Sequence, residues 1–290
     1  RDSSKSMAHR ALLCAGLAAG TTQIQGILPS QDMEATCRAL TALGASIARQ
    51  GSLARVQGVA GRPKAPQGPV DCGESGSTLR FLIPIASLTG QKVTFVGRGR
   101  LMERPQTVYE KLYQEQSLRF EQSPAGLTVE GTLKSSEYEL AGNVSSQFIS
   151  GLLFALPLLS GDSQLHLIPP VESRSYIDMT RAVQAAFGVH SRWLDETTLL
   201  LPGGQQYHPC DYNVEGDYSQ AAFPAVLGAV CGGVTITGLA PDTLQGDAAI
   251  LDILRRCGAV FTRKGDSVTF AKAPLHGVDC LLYTSDAADE

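Results

Sequence analysis

Three basic residues stand where a cation is locally unfavourable. Lys5 and Arg10 flank the helix start SSKSMAHR, and Arg80 lies one turn into ESGSTLR. A positive charge near a helix N-terminus opposes the macrodipole. A bound anion reverses that sign, because free N–H groups, dipole and cation then act together. Lys5 and Arg10 are five residues apart, so they would grip an anion from two sides of the helix start. Arg104, in Arg100-Leu-Met-Glu-Arg104-Pro105, follows a predicted strand, and Pro105 is placed to open the next helix. Ser173-Arg174-Ser175-Tyr176 occupies the equivalent place further on. The plain reading of each piece is modest: hydroxyls as N-caps, an arginine as a solvated strand end. Recurrence at matching places favours one shared pocket for a compact polyanion, a phosphate or a carboxylate. Residue types and spacing stop there and do not give a reaction.

The elements that must position these residues come from a repeat. An apolar helix followed by glycine and a β-rich run occurs four times: Gly20-TTQIQGI, Gly90-QKVTFVG, Gly161-DSQLHLI and Gly232-GVTITGL. The glycines are spaced by 70, 71 and 71 residues. A second helix follows in each unit, and Gly44, Gly188 and Gly258 end three of them as C-cap glycines. The second unit has Gln116-Ser117 there instead. Alternating runs (LARVQGV, GLTVEG, TLLLPG, SVTFAK) close the units as strands. Each unit thus reads as strand-helix-strand-helix-strand-strand, an α/β module too long for the common helical solenoids. Three modules are expected over residues 3–213, and a fourth from 214.

Composition narrows the class. Hydrophobic residues make up 43% of 290, enough for a core and too many for disorder. Lys+Arg 24 against Asp+Glu 28 leaves a net charge of −4, and without a basic run that argues against nucleic-acid binding. The uncharged stretch Ala221–Ala240 carries Pro224 and four glycines, which suits a helix and a strand rather than a membrane span. Seven scattered cysteines include no C-x-x-C pair and no metal spacing to the five histidines, so free thiols in a reducing, cytoplasmic setting are expected.

The segments SSKSMAHRALLCAGLAAGTT, ESGSTLRFL, LMERP, GNVSSQFISGLL, ESRSYIDMT and VEGDYSQAAF, in that order, resemble the 3-phosphoshikimate 1-carboxyvinyltransferases, or EPSP synthases, of the enolpyruvyl transferase family. The resemblance covers residues 3–279. It implies an α/β (α+β) fold of two domains, each of three βαβαββ units, closing around the substrates. Residues 3–213 would form the first domain and 214–280 a partial second one. The implied reaction transfers the enolpyruvyl group of phosphoenolpyruvate to the 5-hydroxyl of shikimate 3-phosphate and releases phosphate, on the route to chorismate and aromatic amino acids. The hydroxyl adds at C2 while C3 is protonated, and the tetrahedral intermediate loses phosphate. By resemblance, shikimate 3-phosphate would be held by Lys5, Ser6, Arg10, Ser145, Ser146, Gln147 and Ser173, with Tyr176 packed beside them. Phosphoenolpyruvate would meet Lys5, Gly76, Arg104 and Gln147, with Arg80 close by. Lys5 is the catalytic candidate. No metal or cofactor, no nucleic acid and no membrane is implied, and the full-length enzyme is expected to be a monomer. Glyphosate, which mimics phosphoenolpyruvate in this family, is expected to bind where Gly76 leaves room.

There are departures. Glu74 stands where the family often has Asn. Four units stand against the family's six. The family's general-base Asp and its later Lys-Glu-x-x-Arg, His-Arg and Lys elements have no counterpart here, and Asp279 does not take that role. The expectation is a truncated reading frame with a non-native tail at 281–290 and a clipped start, whose first strand would precede Ser3. Such a chain would be inactive alone, able to bind shikimate 3-phosphate weakly, and left with open apolar faces. Two alternatives stand beside this reading. A UDP-N-acetylglucosamine 1-carboxyvinyltransferase would have an Asn-rich Lys segment and a loop Cys, and neither is present. A non-catalytic repeat scaffold would have no anion site. Plain roles are expected elsewhere: His166 in packing or at the surface, Trp193 packed on its sheet, Asp195-Glu196 in a hairpin turn, His9 shielding the site. Asp32 would cap the second helix of unit one, with a minor part in orienting Lys5.

Overall fold

A computed structural model describes residues 3–280 of the chain. The tail expected to be non-native, 281–290, lies outside the described residues. Unit one runs α1 (Lys5–Leu17), β1 (Thr21–Gln25), α2 (Gln31–Ala42), β2 (Ser46–Gln50) and β3 (Leu53–Gln57). Unit two runs β4 (Val70–Asp71), α3 (Gly76–Ser87), β5 (Val93–Val96), α4 (Thr107–Glu115), β6 (Arg119–Ser123) and β7 (Gly126–Glu130). Unit three runs β8 (Glu137–Ala141), α5 (Ser146–Ala155), β9 (Ser163–Ile168), α6 (Arg174–Ala186), β10 (Arg192–Trp193) and β11 (Thr198–Leu201). After β12 (Asp211–Asn213) come α7 (Tyr218–Cys231), β13 (Thr235–Ile236), α8 (Ala249–Arg256), β14 (Val260–Lys264) and β15 (Ser267–Ala271).

Three sheets share one strand order: β12-β1-β3-β2, β4-β5-β7-β6 and β8-β9-β11-β10. In each the first pair is parallel and the others antiparallel. The outer strand of unit one's sheet is supplied from beyond unit three, with Gln23 opposite Asp211 and Gln25 opposite Asn213. The fourth sheet has three strands, β13-β15-β14.

Helices α1, α3 and α5 are apolar nearly all round, and a helix of that kind must be central. Every residue from Met7 to Leu17 is buried, as is every residue of α5. They join α2 and α6 in a ring of packed pairs: α1 on α2, α2 on α3, α3 on α5, α5 on α6, and α6 on α1. The sheets lie outside, with alternate strand residues turned inward, as in the exposed–buried alternation of β1 and β8. Residues Met7 to Val214 form one apolar core and Tyr218 to Phe270 another. On α7, Phe223, Val226, Leu227 and Val230 face solvent.

The second helices all stop in the same way. Backbone N–H groups of Ala45, Leu118, Val189 and Ala259 close on the carbonyls of Leu40, Tyr113, Gln184 and Leu254. These are Schellman closures, which need a left-handed residue just past the cap. Gly44, Gly188 and Gly258 supply it in three units, and Ser117, at φ 56°, supplies it in the second. Pro105 lies ahead of α4 rather than at its first position, because Gln106 takes the cap.

Candidate anion-binding site

The repeat places matching residues at matching helix starts. Ser4, Ser75 and Ser145 are the N-caps of α1, α3 and α5, and their hydroxyls accept from the N–H of Met7, Thr78 and Gln147. The next two positions are Lys5 and Ser6, Gly76 and Ser77, Ser146 and Gln147. Because the three helices sit in one ring, these starts converge. One cavity is lined by Lys5, Ser6, His9, Arg10, Ser77, Phe81, Ser146, Gln147 and Tyr176, and encloses about 360 Å³ including its open mouth. Three helix N-termini with a lysine and an arginine are a site for negative charge.

Lys5 Nζ lies 2.5 Å from Asp32 Oδ2. Burial alone would raise the Asp32 carboxyl, but the Lys5 ammonium, through its hydrogen bond and its charge, holds it below the usual value. Asp32 is not the cap expected of it: Ser30 caps α2, accepting from Met33 N–H at 3.2 Å. Lys5 also borders a second cavity, of about 580 Å³ including its open mouth, with Asp217 and Gln220 at the start of α7.

Arg10 differs most from expectation. It is buried to 3% exposure and lies within the fold rather than reaching out. Its Nε donates to Thr180 Oγ1 at 2.7 Å, Nη1 to the Ser6 carbonyl at 2.8 Å and Nη2 to the Tyr176 carbonyl at 3.4 Å. Its charge still faces the cavity, but much of its donor capacity ties α1 to α6. His9 is buried beside it, hydrogen-bonded to Thr36 Oγ1 and, through Nδ1, to Ser77 Oγ at 3.3 Å. Burial, followed by the nearby cations, lowers its pKa to about 3 against the pull of Asp32. It is a neutral hydrogen-bond bridge across α1, α2 and α3.

Of the other expected residues, Arg80 Nη1 donates to Gln147 Oε1 at 3.1 Å and so adjoins the cavity. Gly76 and Arg104 meet: a Cβ on Gly76 would lie 2.8 Å from Arg104 Nη1. Ser145 acts as the α5 cap. Ser173 takes the cap position of α6 without a side-chain cap bond. Neither lines the cavity. Arg174, from the same recurring motif, is turned elsewhere. It stacks 4.0 Å over Trp193 and donates to the Glu196 carbonyl. Ser77, Phe81 and His9 line the cavity without having been assigned to substrate. Ser77 was findable, since it matches Ser6 in the repeat. Asp195 accepts from the N–H groups of Thr197 and Thr198, as a turn residue does.

The EPSP synthase (3-phosphoshikimate 1-carboxyvinyltransferase) family model matches residues 2–287. The chain belongs to the EPSP synthase family. The 3-phosphoshikimate 1-carboxyvinyltransferase of Clostridium kluyveri is 42% identical over 278 residues, spanning 95% of this chain and 65% of that protein. That of Clostridioides difficile is 38% identical over 297 residues, spanning 99% and 68%. A solved EPSP synthase from Acinetobacter baumannii superposes with a TM-score of 0.82 at 25% identity, covering 95% of this chain and 64% of that one. The chain thus spans about two thirds of the length of these family members. Among the described residues no helix is long and apolar enough to cross a membrane.

Proposed function

We propose that this chain carries the shikimate 3-phosphate and phosphoenolpyruvate site of a 3-phosphoshikimate 1-carboxyvinyltransferase. The observation that carries the reading is the convergence of three serine-capped helix starts on Lys5 and Arg10. In this reading Lys5 binds both substrates and is the one catalytic residue assigned here. Ser6, Ser146, Gln147 and Tyr176 hold shikimate 3-phosphate, with Ser145 and Ser173 behind them, while the Arg10 charge acts from within the core. Gly76, Arg80 and Arg104 take phosphoenolpyruvate, and Gln147 bridges the two. Two neighbouring dianions repel, so helix dipoles and cations must offset that cost before the 5-hydroxyl can meet C2. The separate apolar cores support the division expected between residues 3–213 and 214–280, with Val214 at the boundary packing on the first core. Lys5, bordering both cavities, then lies where the two parts meet.

Titration calorimetry of the 290-residue chain with each ligand tests this. Binding of shikimate 3-phosphate is expected, with a loss of tenfold or more on K5E, and phosphoenolpyruvate binding is expected to fall by as much on K5E or R104E, on the order of one buried charge-assisted bond. Absence of binding, or binding indifferent to both charge reversals, would sink the reading in favour of a scaffold.

A further inference from the structure

Helix α3 contains Pro84, which has no N–H to offer the carbonyl four residues back, that of Arg80. The Tyr109 hydroxyl, on α4, donates to that carbonyl at 2.8 Å. The same hydroxyl lies 2.9 Å from the Phe148 carbonyl and 3.5 Å from that of Gln147, both on α5. One O–H therefore faces the main chains of two helices. Tyr109 is fully buried, and burial pushes its phenol well above the ordinary value, so the proton stays on oxygen. The helices meet almost backbone to backbone here. A Cβ on Gly151 would lie 2.2 Å from the Tyr109 oxygen and 2.6 Å from the Arg80 carbonyl. The ring of Tyr109 packs edge-on against Phe148, with centroids 5.0 Å apart. The Arg80 guanidinium covers Phe148 at 4.6 Å and donates to Gln147.

We propose that Tyr109 is a positioning residue. Its hydroxyl, bound to the main chain of Arg80 and Phe148, sets the spacing of α3 and α5 and so holds the Arg80 guanidinium on Gln147, ready for phosphoenolpyruvate. Tyr109 acts through these two side chains and does not touch the ligand. The ligand named rests on the function proposed above; the clamp itself rests on the geometry alone. Tyr109 follows Arg104 by five residues, so one short segment delivers an arginine to the site and fixes the spacing of its neighbours.

The test uses the 290-residue chain with Y109F, P84A and the double variant. In crystals of Y109F the Arg80–Gln147 contact is expected to open beyond about 3.5 Å, the limit of a hydrogen bond. In calorimetry the Kd for phosphoenolpyruvate is expected to rise about tenfold, the scale of one buried hydrogen bond, with shikimate 3-phosphate affected much less. P84A restores a helical N–H to the Arg80 carbonyl, so adding Y109F to it is expected to cost markedly less. A purely structural role would weaken both ligands alike. An intact contact in Y109F, equal losses for both ligands, or an equal cost in both backgrounds overturns the proposal. If Y109F unfolds, recovery of the fold on adding P84A supports the clamp, and continued unfolding overturns it. A wild-type chain that binds neither ligand counts against the function proposed above, and the crystallographic contact and the unfolding cycle then decide the clamp.

Discussion

The Lys5 ammonium and the Asp32 carboxylate form a 2.5 Å ion pair beside the cavity, with side chains 36% and 26% exposed. Asp32 holds Lys5 in place and also cancels part of its charge. D32N keeps an acceptor and drops the charge, so inorganic phosphate is expected to bind a few-fold tighter at low salt, with a steeper salt dependence. The pair also affects stability. Asp32 has a folded pKa below its ordinary 3.8. Its contribution is therefore complete above that value and is lost as pH falls through the lower folded pKa. Acid unfolding of D32N should be flatter below pH 4, and an identical acid limb would contradict this.

His9 gives a second pH dependence at milder acidity. Its pKa falls from 6.5 to about 3 on folding, with burial the largest cause. Between these values the unfolded chain takes a proton that the folded chain refuses. Stability therefore drops as pH falls through 6.5, by roughly 1.4 kcal/mol per pH unit when one proton is involved. H9N should remove that slope between pH 6 and 4. Denaturant melts across that range measure it directly, and parallel curves for the two chains would contradict it.

Ser117 carries a conformation that glycine carries in the three sister units. The left-handed region costs a residue with a Cβ about 1–2 kcal/mol. Part of the gain from S117G is returned as unfolded-state entropy. The net expectation is a stabilisation of about 0.5–1 kcal/mol, read from urea midpoints, with ligand binding unchanged. A destabilised S117G would show that the serine side chain matters more than its backbone.

Gly76 leaves room for Arg104. In G76A the new methyl meets Arg104 Nη1 at 2.8 Å, and the far end of that flexible side chain is what must move. Stability should hold within about 0.5 kcal/mol, since surface-like adjustments of this kind cost little. Phosphoenolpyruvate affinity should fall several-fold while shikimate 3-phosphate binding is kept. Equal effects on the two ligands would show that Arg104 does not serve one substrate preferentially.

Period and punctuation carried much of the fold. The glycine spacing of about 70 residues located the units, and the alternating runs located most closing strands. The outer strand β12 was not legible, because three residues with no strong alternation acquire their pairing only from β1. At the site, Lys5, Ser6, Arg10, Ser146, Gln147 and Tyr176 line one cavity. Arg10 and Arg174 show what sequence leaves unsaid. A cation's type and position do not reveal that its donors also meet a threonine hydroxyl and main-chain carbonyls, as at Arg10, or that it stacks on an indole ring, as at Arg174. Tyr109 was hidden for a related reason: its partner is a carbonyl that Pro84 cannot serve, a relation visible only once α3, α4 and α5 are packed.

The strand Asp211–Asn213 completes a sheet begun by Thr21–Gln25. On the ribosome, the edge of that early strand must wait while nearly two hundred further residues are made. Contacts so distant in the chain slow folding, and a nascent chain with a waiting edge is open to wrong pairings. Completion of this sheet is thus a late event, and pausing synthesis just before Asp211 would leave the β1 edge without its partner.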